Sequence, residues 1–434
     1  MKACCPANPP TAEPTNVPSN EPTRSVPVNI LLINHYAGSS RHGMEYRPFH
    51  LARQWSRMGH QVAIVAASFS HLHVTRPETK GRLTQESIEG VRYFWLKTPP
   101  YHGNGVSRAI NILAFASRLR RYRGKLLRFF RPDAVIASSP HPMIIYGARA
   151  IAGRSGAKLV FEVRDLWPLT LVELGAMSPR HPFVLLMRMA ERTAYRSADR
   201  VVSLLPKADS HMREHGMAAE KFVHIPNGID IDSLRDEAAL PGEHAECLAR
   251  HKRQGRFLVG YAGGHGVSNA LKAVVAAAEH LRSLPVTLVL VGQGPEKESL
   301  RADASRRGLD NLVFLPPVVK DTVRRLLSEM DALYIGWNRS PIYQYGISPN
   351  KLLDYMLAGK PIVHAVEAAN DPVAESGCGI SCPPENPPAI ARAIAELMRR
   401  TPAERHAMGK RGQQYVSRHH DYRVLAERFL AELG

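Results

Sequence analysis

Short, unbroken apolar runs recur along this chain, each followed by a glycine-containing loop and a stretch of helical periodicity. Residues 28–33 (Val-Asn-Ile-Leu-Leu-Ile) form the first run and read as a strand. A loop over 34–43 follows, then a periodic helix over 44–58 that Gly59-His60 ends, then a strand over 61–67. This is the unit that opens a doubly wound parallel sheet. The pattern predicts further strands at 134–138, 159–163, 201–204 and 222–225, and a small-residue helix at 144–154. It begins again with a strand at 257–262, the glycine loop 263–266, a helix over 269–284, and strands at 286–291, 313–315 and 332–335. The expected fold is α/β, with two Rossmann-like domains (28–229 and 256–412) joined by a linker at 230–255. Ligands are expected in the cleft at the carboxyl ends of the two sheets.

Residues 345–363 carry the most chemistry. They read as a tight turn at Gly346, a short helix, a stop at Gly359, and an apolar strand from Pro361. Ser348 suits an N-cap, and Pro349 suits the first helical position, where no N–H is needed. Such a start, with Ile347 and Asn350 beside it, aims free N–H groups and the positive dipole end at whatever lies in front. Lys351 adds a mobile cation one turn in. Asp354, three residues on, can accept from a ribose hydroxyl. The set fits a diphosphate and its sugar. The ordinary alternative is a capped surface helix before a buried strand.

Other loops carry related signals. The amides of Gly263, Gly264, His265 and Gly266 can cradle a phosphate between strand and helix, with Asn269 just after. Glu162, Arg164 and Asp165 sit at a strand end before Trp167-Pro168 and face the cleft. Asp165 can orient an acceptor hydroxyl or act as its base, and Arg164 can hold a phosphate. Gly43 permits close backbone approach beside Met44, while Glu45 and Arg47 can order the reacting groups or an acceptor phosphate. His141 follows another strand end. For each, a solvated or salt-bridged terminus is the bland reading.

The 345–363 stretch resembles the signature of family 4 retaining glycosyltransferases, nearest to the bacterial O-antigen and capsule branch with Ser-Pro-Asn-Lys before the acid, such as fucosamine transferases. The likeness spans nearly all of the chain after residue 27. It implies the glycosyltransferase B fold, with 413–434 crossing back to the first domain. The family carries two glutamates here; in this chain the second is Asp354 and the first falls on Gly346. The resemblance assigns Gly263 to Gly266, Asn269, Gly294, Val318 and Gly346 to Asn350 to the donor, with Asp354. It places Gly43, Met44, Arg47, His141 and Trp167 on the acceptor side, and Glu45, Arg164, Asp165 and Lys351 at the chemistry. It implies retention, no metal, and no cofactor beyond a nucleotide-sugar co-substrate, expected to be UDP-linked.

Bulk properties narrow the partners. The formal charge of +18 fits anionic membranes, nucleic acids or phosphorylated substrates. Residues 106–132 interleave Arg108, Arg118, Arg120, Arg121, Arg123, Lys125, Arg128 and Arg131 with apolar residues and no acid. That run suits an anionic leaflet, or a helix packed on the first domain. No nucleic-acid module accompanies it, so none is expected as a partner. The five cysteines do not form a disulfide framework or a zinc-ligand spacing. Residues 1–27 are Pro-rich and read as a disordered tail without a signal-peptide centre. Asp230-Ile231-Asp232 is formally the triplet that metal-dependent transferases use, but it follows the turn Pro226-Asn227-Gly228 and reads as a domain connection. The 34–47 loop lacks the glycine order of a dinucleotide site. The combined expectation is a cytoplasmic enzyme, peripheral on the inner leaflet, that moves a sugar to a lipid-linked glycan in O-antigen, lipopolysaccharide or capsule synthesis. A nucleotide-sugar epimerase of the same fold, or a membrane-surface binding protein with a degenerate site, are the alternatives.

Overall fold

The computed structural model describes residues 26–232 and 238–433. Most of the expected tail, and part of the expected linker, therefore lie outside the described residues. Two sheets organise the rest. The first holds β1 (Asn29–Asn34), β2 (Gln61–Ala67), β3 (Leu83–Ile88), β4 (Val91–Leu96), β5 (Ala134–Ser138), β6 (Lys158–Val163), β7 (Arg200–Ser203) and β8 (Phe222–His224). Their order is β3-β4-β2-β1-β5-β6-β7-β8, parallel except for the β3–β4 hairpin. The second holds β9 (Phe257–Ala262), β10 (Val286–Val291), β11 (Leu312–Leu315), β12 (Ala332–Gly336), β13 (Ile362–Ala365) and β14 (Gly379–Cys382), in the order β11-β10-β9-β12-β13-β14. Strands β1, β2, β5, β9 and β10 are buried on both faces, which is why they read as unbroken apolar runs. The β3–β4 hairpin and β14 were not expected. Strand β3 is an edge of mixed polarity (Leu-Thr-Gln-Glu-Ser-Ile), which leaves a weak apolar signal.

The connections between domains depart from the expectations. Within 230–255 lies a helix, Gly242–Arg253, whose Leu248 joins the core of the second domain. The C-terminal segment is two helices, Pro402–His419 and Tyr422–Ala431. Val416 of the former packs in the second domain, whereas Tyr422, Leu425, Ala426 and Phe429 of the latter pack with Trp55 in the first. The crossing is therefore at 419–422. There it runs beside the outgoing connection: Ile229 N–H donates to His420 O (2.8 Å) and Tyr422 N–H to Ile229 O (3.1 Å).

The helix expected at 44–58 spans Arg47–Arg57. Arg47, expected on the acceptor side, is 2% exposed. Its Nε donates to Glu162 Oε1 (3.0 Å), its Nη1 to Pro226 O (2.6 Å) and its Nη2 to Ile225 O (3.1 Å). Glu162 is fully buried and also accepts from Ser138 Oγ (2.5 Å). Arg47 is thus a tie between the first helix, β6 and the domain connection, because a buried guanidinium must spend its donors on buried acceptors.

Arg47→Met should lower unfolding stability by about 3–5 kcal/mol, since it leaves the Glu162 charge buried and unpaired. Urea denaturation checks this. The Arg47→Met/Glu162→Leu double variant should lie nearer to wild type than Arg47→Met does.

Candidate active site

Loops at the carboxyl ends of β1, β5 and β6 form one wall of the cleft. Arg164 and Asp165 leave the end of β6, and Arg164 Nη2 meets Glu45 Oε1 at 2.7 Å. Burial opposes the Arg164 charge, but Glu45, with Glu162 and Asp165, outweighs it and raises its pKa. Two of its nitrogens, Nε and Nη1, are buried with no hydrogen-bond partner. They are the donors an incoming anion can use. Asp165 is exposed on the cleft wall. Desolvation by the surrounding walls pushes its carboxyl up, Arg164 pulls it back, and Glu45 adds to the push. A carboxylate poised upward suits a base or an orienting acceptor.

Glu45 reaches this point because the preceding loop folds on itself. Ser39 and Gly43 exchange backbone hydrogen bonds (3.0 and 3.1 Å), Gly43 takes φ 95°, and Gly38 N–H holds Glu45 O (3.0 Å). Met44 beside it is exposed. Trp167 is half-buried, with the Arg108 guanidinium 5.9 Å from its ring and 5.4 Å from that of Tyr36. His141, expected on the acceptor side, is instead fully buried beneath the loop. Its Nε2 pairs with His35 Nδ1 (2.6 Å), and His35 Nε2 pairs with Asn111 Oδ1 (2.7 Å). Burial holds its pKa down to about 3, so it supports the wall as a neutral ring.

The second domain supplies the other wall. Lys351 Nζ donates to Tyr261 OH (2.8 Å) and Asn269 Oδ1 (3.0 Å), against the glycine loop. Burial lowers its pKa to about 8. Asn269 Nδ2 holds Gly264 O (3.0 Å). The cradle is narrower than four amides. Gly263 N–H is spent on Val291 O and His265 N–H on Gln293 O (2.9 Å each). Among the described residues, the amides of Gly264 and Gly266 remain without an acceptor. The His265 side chain is fully buried, and burial takes its pKa down to about 4. It fills the space under the loop rather than meeting a donor. The turn at Gly294 presses so closely on this loop that a Cβ there would lie 2.4 Å from His265 O. Val318 is partly buried against the core of this domain.

The expected Ser348 cap is not formed. The helix is Asn350–Leu357, with Pro349 in the N-cap position and no side-chain cap. Ser348 is drawn across the cleft instead: its Oγ accepts from Asn227 N–H (2.8 Å), and Asn227 Nδ2 donates to Ser348 O (2.6 Å). Ile347 is pinned by Asn370 through N–H to Oδ1 (2.7 Å). Gly346, at φ 104°, passes where a Cβ would lie 2.5 Å from Pro206. Asp354 lies one turn beyond the helix start; burial raises its pKa to about 6 against the pull of Lys320 and Arg324.

A cavity of about 270 Å³ brings Glu45, Arg164 and Asp165 opposite Gly346, Ile347, Ser348 and Pro349; Lys351, Asp354, Asn269 and the glycine loop 263–266 do not line it. A larger one, about 370 Å³, lies on the hinge side among His224, Tyr415, His419 and Arg428, and meets none of the three first-domain charges. The smaller is the candidate site. Asp230 and Asp232 lie elsewhere, engaged with Arg53 and Arg57 respectively. Sequence reading did not place Asn227 or Trp337 at the cleft, nor Arg108 against Tyr36 and Trp167. Arg108 was legible only as part of a basic run, because its contacts with Tyr36 and Trp167 are made across the fold.

The chain is similar to known proteins. Residues 42–228 match the family described as glycosyl transferase 4-like domain, and residues 256–400 match glycosyl transferases group 1. A protein named as a colanic acid biosynthesis glycosyl transferase, WcaI of Escherichia coli (strain K12), is 24% identical over 80% of this chain and 86% of its own. WbjE of Pseudomonas aeruginosa, named as a glycosyltransferase, is 21% identical over 85% and 89%. The structure of Anabaena HepE in complex with UDP and glucose superposes with a TM-score of 0.62 at 16% identity, covering 94% of this chain and 99% of that one. With the 4-like domain over the first sheet, the group 1 domain over the second, and the two-domain glycosyltransferase B fold, the chain belongs to the family 4 glycosyltransferases.

Proposed function

We propose that this glycosyltransferase moves a sugar, a modified hexose, from a UDP-linked donor to a lipid-linked glycan during bacterial cell-surface polysaccharide synthesis. One observation carries the reading: Glu45, Arg164 and Asp165 of one domain face the Gly346–Pro349 loop of the other across a single cavity, one helical turn from Lys351. The name of WcaI, a colanic acid biosynthesis glycosyl transferase, supports the polysaccharide setting, and the UDP bound to HepE supports the donor class.

The donor diphosphate lies against Gly264, Gly266, the start of the helix Asn350–Leu357, and Lys351. Asp354 holds the ribose. Transfer retains the anomeric configuration. The bond from the anomeric carbon to the diphosphate oxygen breaks, the bond to the acceptor oxygen forms on the same face, and the acceptor proton passes to the departing phosphate. Asp165 orients the acceptor hydroxyl. Lys351, the two amides and the unpartnered nitrogens of Arg164 stabilise the charge that grows on the leaving group, so no metal is required in this reading.

Docking at an anionic leaflet completes the proposal. The helix Val106–Phe129 turns Ile112, Phe115, Leu119 and Leu126 into the core, so most of the apolar residues of the basic run pack inward. Arg120, Arg121, Lys125 and Arg128 remain outside. Val106, Ile110 and Leu113 of this helix are exposed, as are Leu185 and Met189 on the neighbouring helix Pro182–Ser197. Among the described residues, no helix is long and apolar enough to cross a membrane.

Asp165→Asn should cut sugar transfer by about 100-fold or more while donor affinity stays within about twofold. Turnover assays beside calorimetry with UDP-sugars check this; equal losses in both would make Asp165 a structural group.

Asp354→Asn tests the donor end through pH. The folded carboxyl titrates at about 6, above its unfolded range, so folding takes up a proton and stability falls as pH rises through that window. Removing the charge should therefore raise the melting temperature at neutral pH while weakening donor binding. In wild type, donor affinity should rise as pH increases through about 6. In the variant that step should vanish.

Binding to vesicles with anionic lipid should fall as salt rises. Replacing Arg120, Arg121 and Arg128 with Gln should weaken it by about two orders of magnitude. Sedimentation of both forms checks it; identical sedimentation would remove this face from the membrane.

A further inference from the structure

We infer that Glu191, His211 and His215 form a site for a divalent transition-metal ion of the zinc class, outside the substrate cleft. Glu191 lies on the helix Pro182–Ser197 and is 1% exposed. Its Oε1 accepts from His211 Nε2 (2.9 Å) and from the Tyr195 hydroxyl (3.2 Å). Its Oε2 is buried with no hydrogen-bond partner. A buried carboxylate oxygen left bare is costly, and a cation is the partner that best relieves it.

The two histidines stand one turn apart at the end of the short helix Asp209–Glu214, with ring centroids 4.2 Å apart. His215 Nδ1 donates to His211 O (2.8 Å), which fixes its tautomer and leaves Nε2 with a free lone pair. That is the backbone contact metal-bound histidines use to orient themselves. One ligand atom from each of the three residues lies within 4.8 Å of the others. Two imidazoles and one carboxylate suit zinc, at about 2.0–2.2 Å from each atom. His211 ligates through Nε2 once its proton sits on Nδ1, so the ring stays neutral and no redox step is involved. Half-buried His215 leaves a path from solvent and room for water as the remaining ligand.

The site abuts the donor wall. The His211 ring meets that of Tyr345 edge-on at 5.6 Å, and Lys207 N–H donates to Tyr345 O (3.0 Å), directly before Gly346. A bound ion braces this contact from the first domain.

The test uses the full chain stripped with a chelator and titrated with Co²⁺, then with Zn²⁺ in competition. Wild type should take up one equivalent with the visible absorption of tetrahedral cobalt, and Zn²⁺ should displace it and raise the melting temperature. His215→Ala changes a half-buried ring and should keep the fold by circular dichroism. It should lose affinity by about 100-fold or more, and Glu191→Gln should do the same. No cobalt spectrum in wild type overturns the site. With 20 histidines in the chain, binding that survives unchanged in His215→Ala also overturns it, since it then lies elsewhere.

Discussion

The buried ion pair between Arg47 and Glu162 is the constraint on which the rest of this protein hangs. Both side chains are removed from water, so neither charge is tolerable without the other. Glu162 is held by Ser138 Oγ, and Asn34 Nδ2 reaches the same hydroxyl (3.0 Å), so the ends of β1, β5 and β6 share one polar knot. Arg47 spends its remaining donors on Ile225 O and Pro226 O, the start of the connection between domains. The next residue, Asn227, is bonded to Ser348 on the far wall of the cleft. A line of hydrogen bonds therefore runs from the core of the first domain to the loop before the helix Asn350–Leu357.

That geometry explains how the site divides its labour. The residues that touch the cleft, Arg164 and Asp165, lie two and three positions after Glu162, beyond Val163. The strand end is anchored below by Glu162, so the two groups after it are aimed rather than free. The opposite wall is built differently. Two glycine turns are tied to each other through Gly263, His265, Gln293 and Gly294, and Lys351 is held against them by Tyr261 and Asn269. Burial leaves Lys351 with a pKa near 8, a cation whose hydration is already partly stripped. In the proposed transfer, the charge that develops on the leaving group would meet it with little solvent left to rearrange.

The return connection is correspondingly narrow. The segments 226–230 and 419–422 run side by side, joined through Ile229, His420 and Tyr422, where the C-terminal helices pass from the core of the second domain to that of the first.

The apolar runs determined the parallel cores of the two sheets from sequence alone, though not β3, β4 or β14, because strands buried on both faces have few polar positions to blur them. Glycine and proline spacing likewise placed the donor helix, Lys351 and Asp354, and the strand end at Arg164 and Asp165. Tertiary structure decided what those residues do. Arg47 and His141 carry the residue types of a site yet are buried supports, because their partners (Glu162, Ile225 and His35) come from distant segments. Ser348 has the chemistry of a cap but bonds Asn227, because a second domain lies within reach. Local pattern reports burial and backbone shape. Which polar group satisfies which depends on packing between elements far apart in the chain, and no local spacing encodes it.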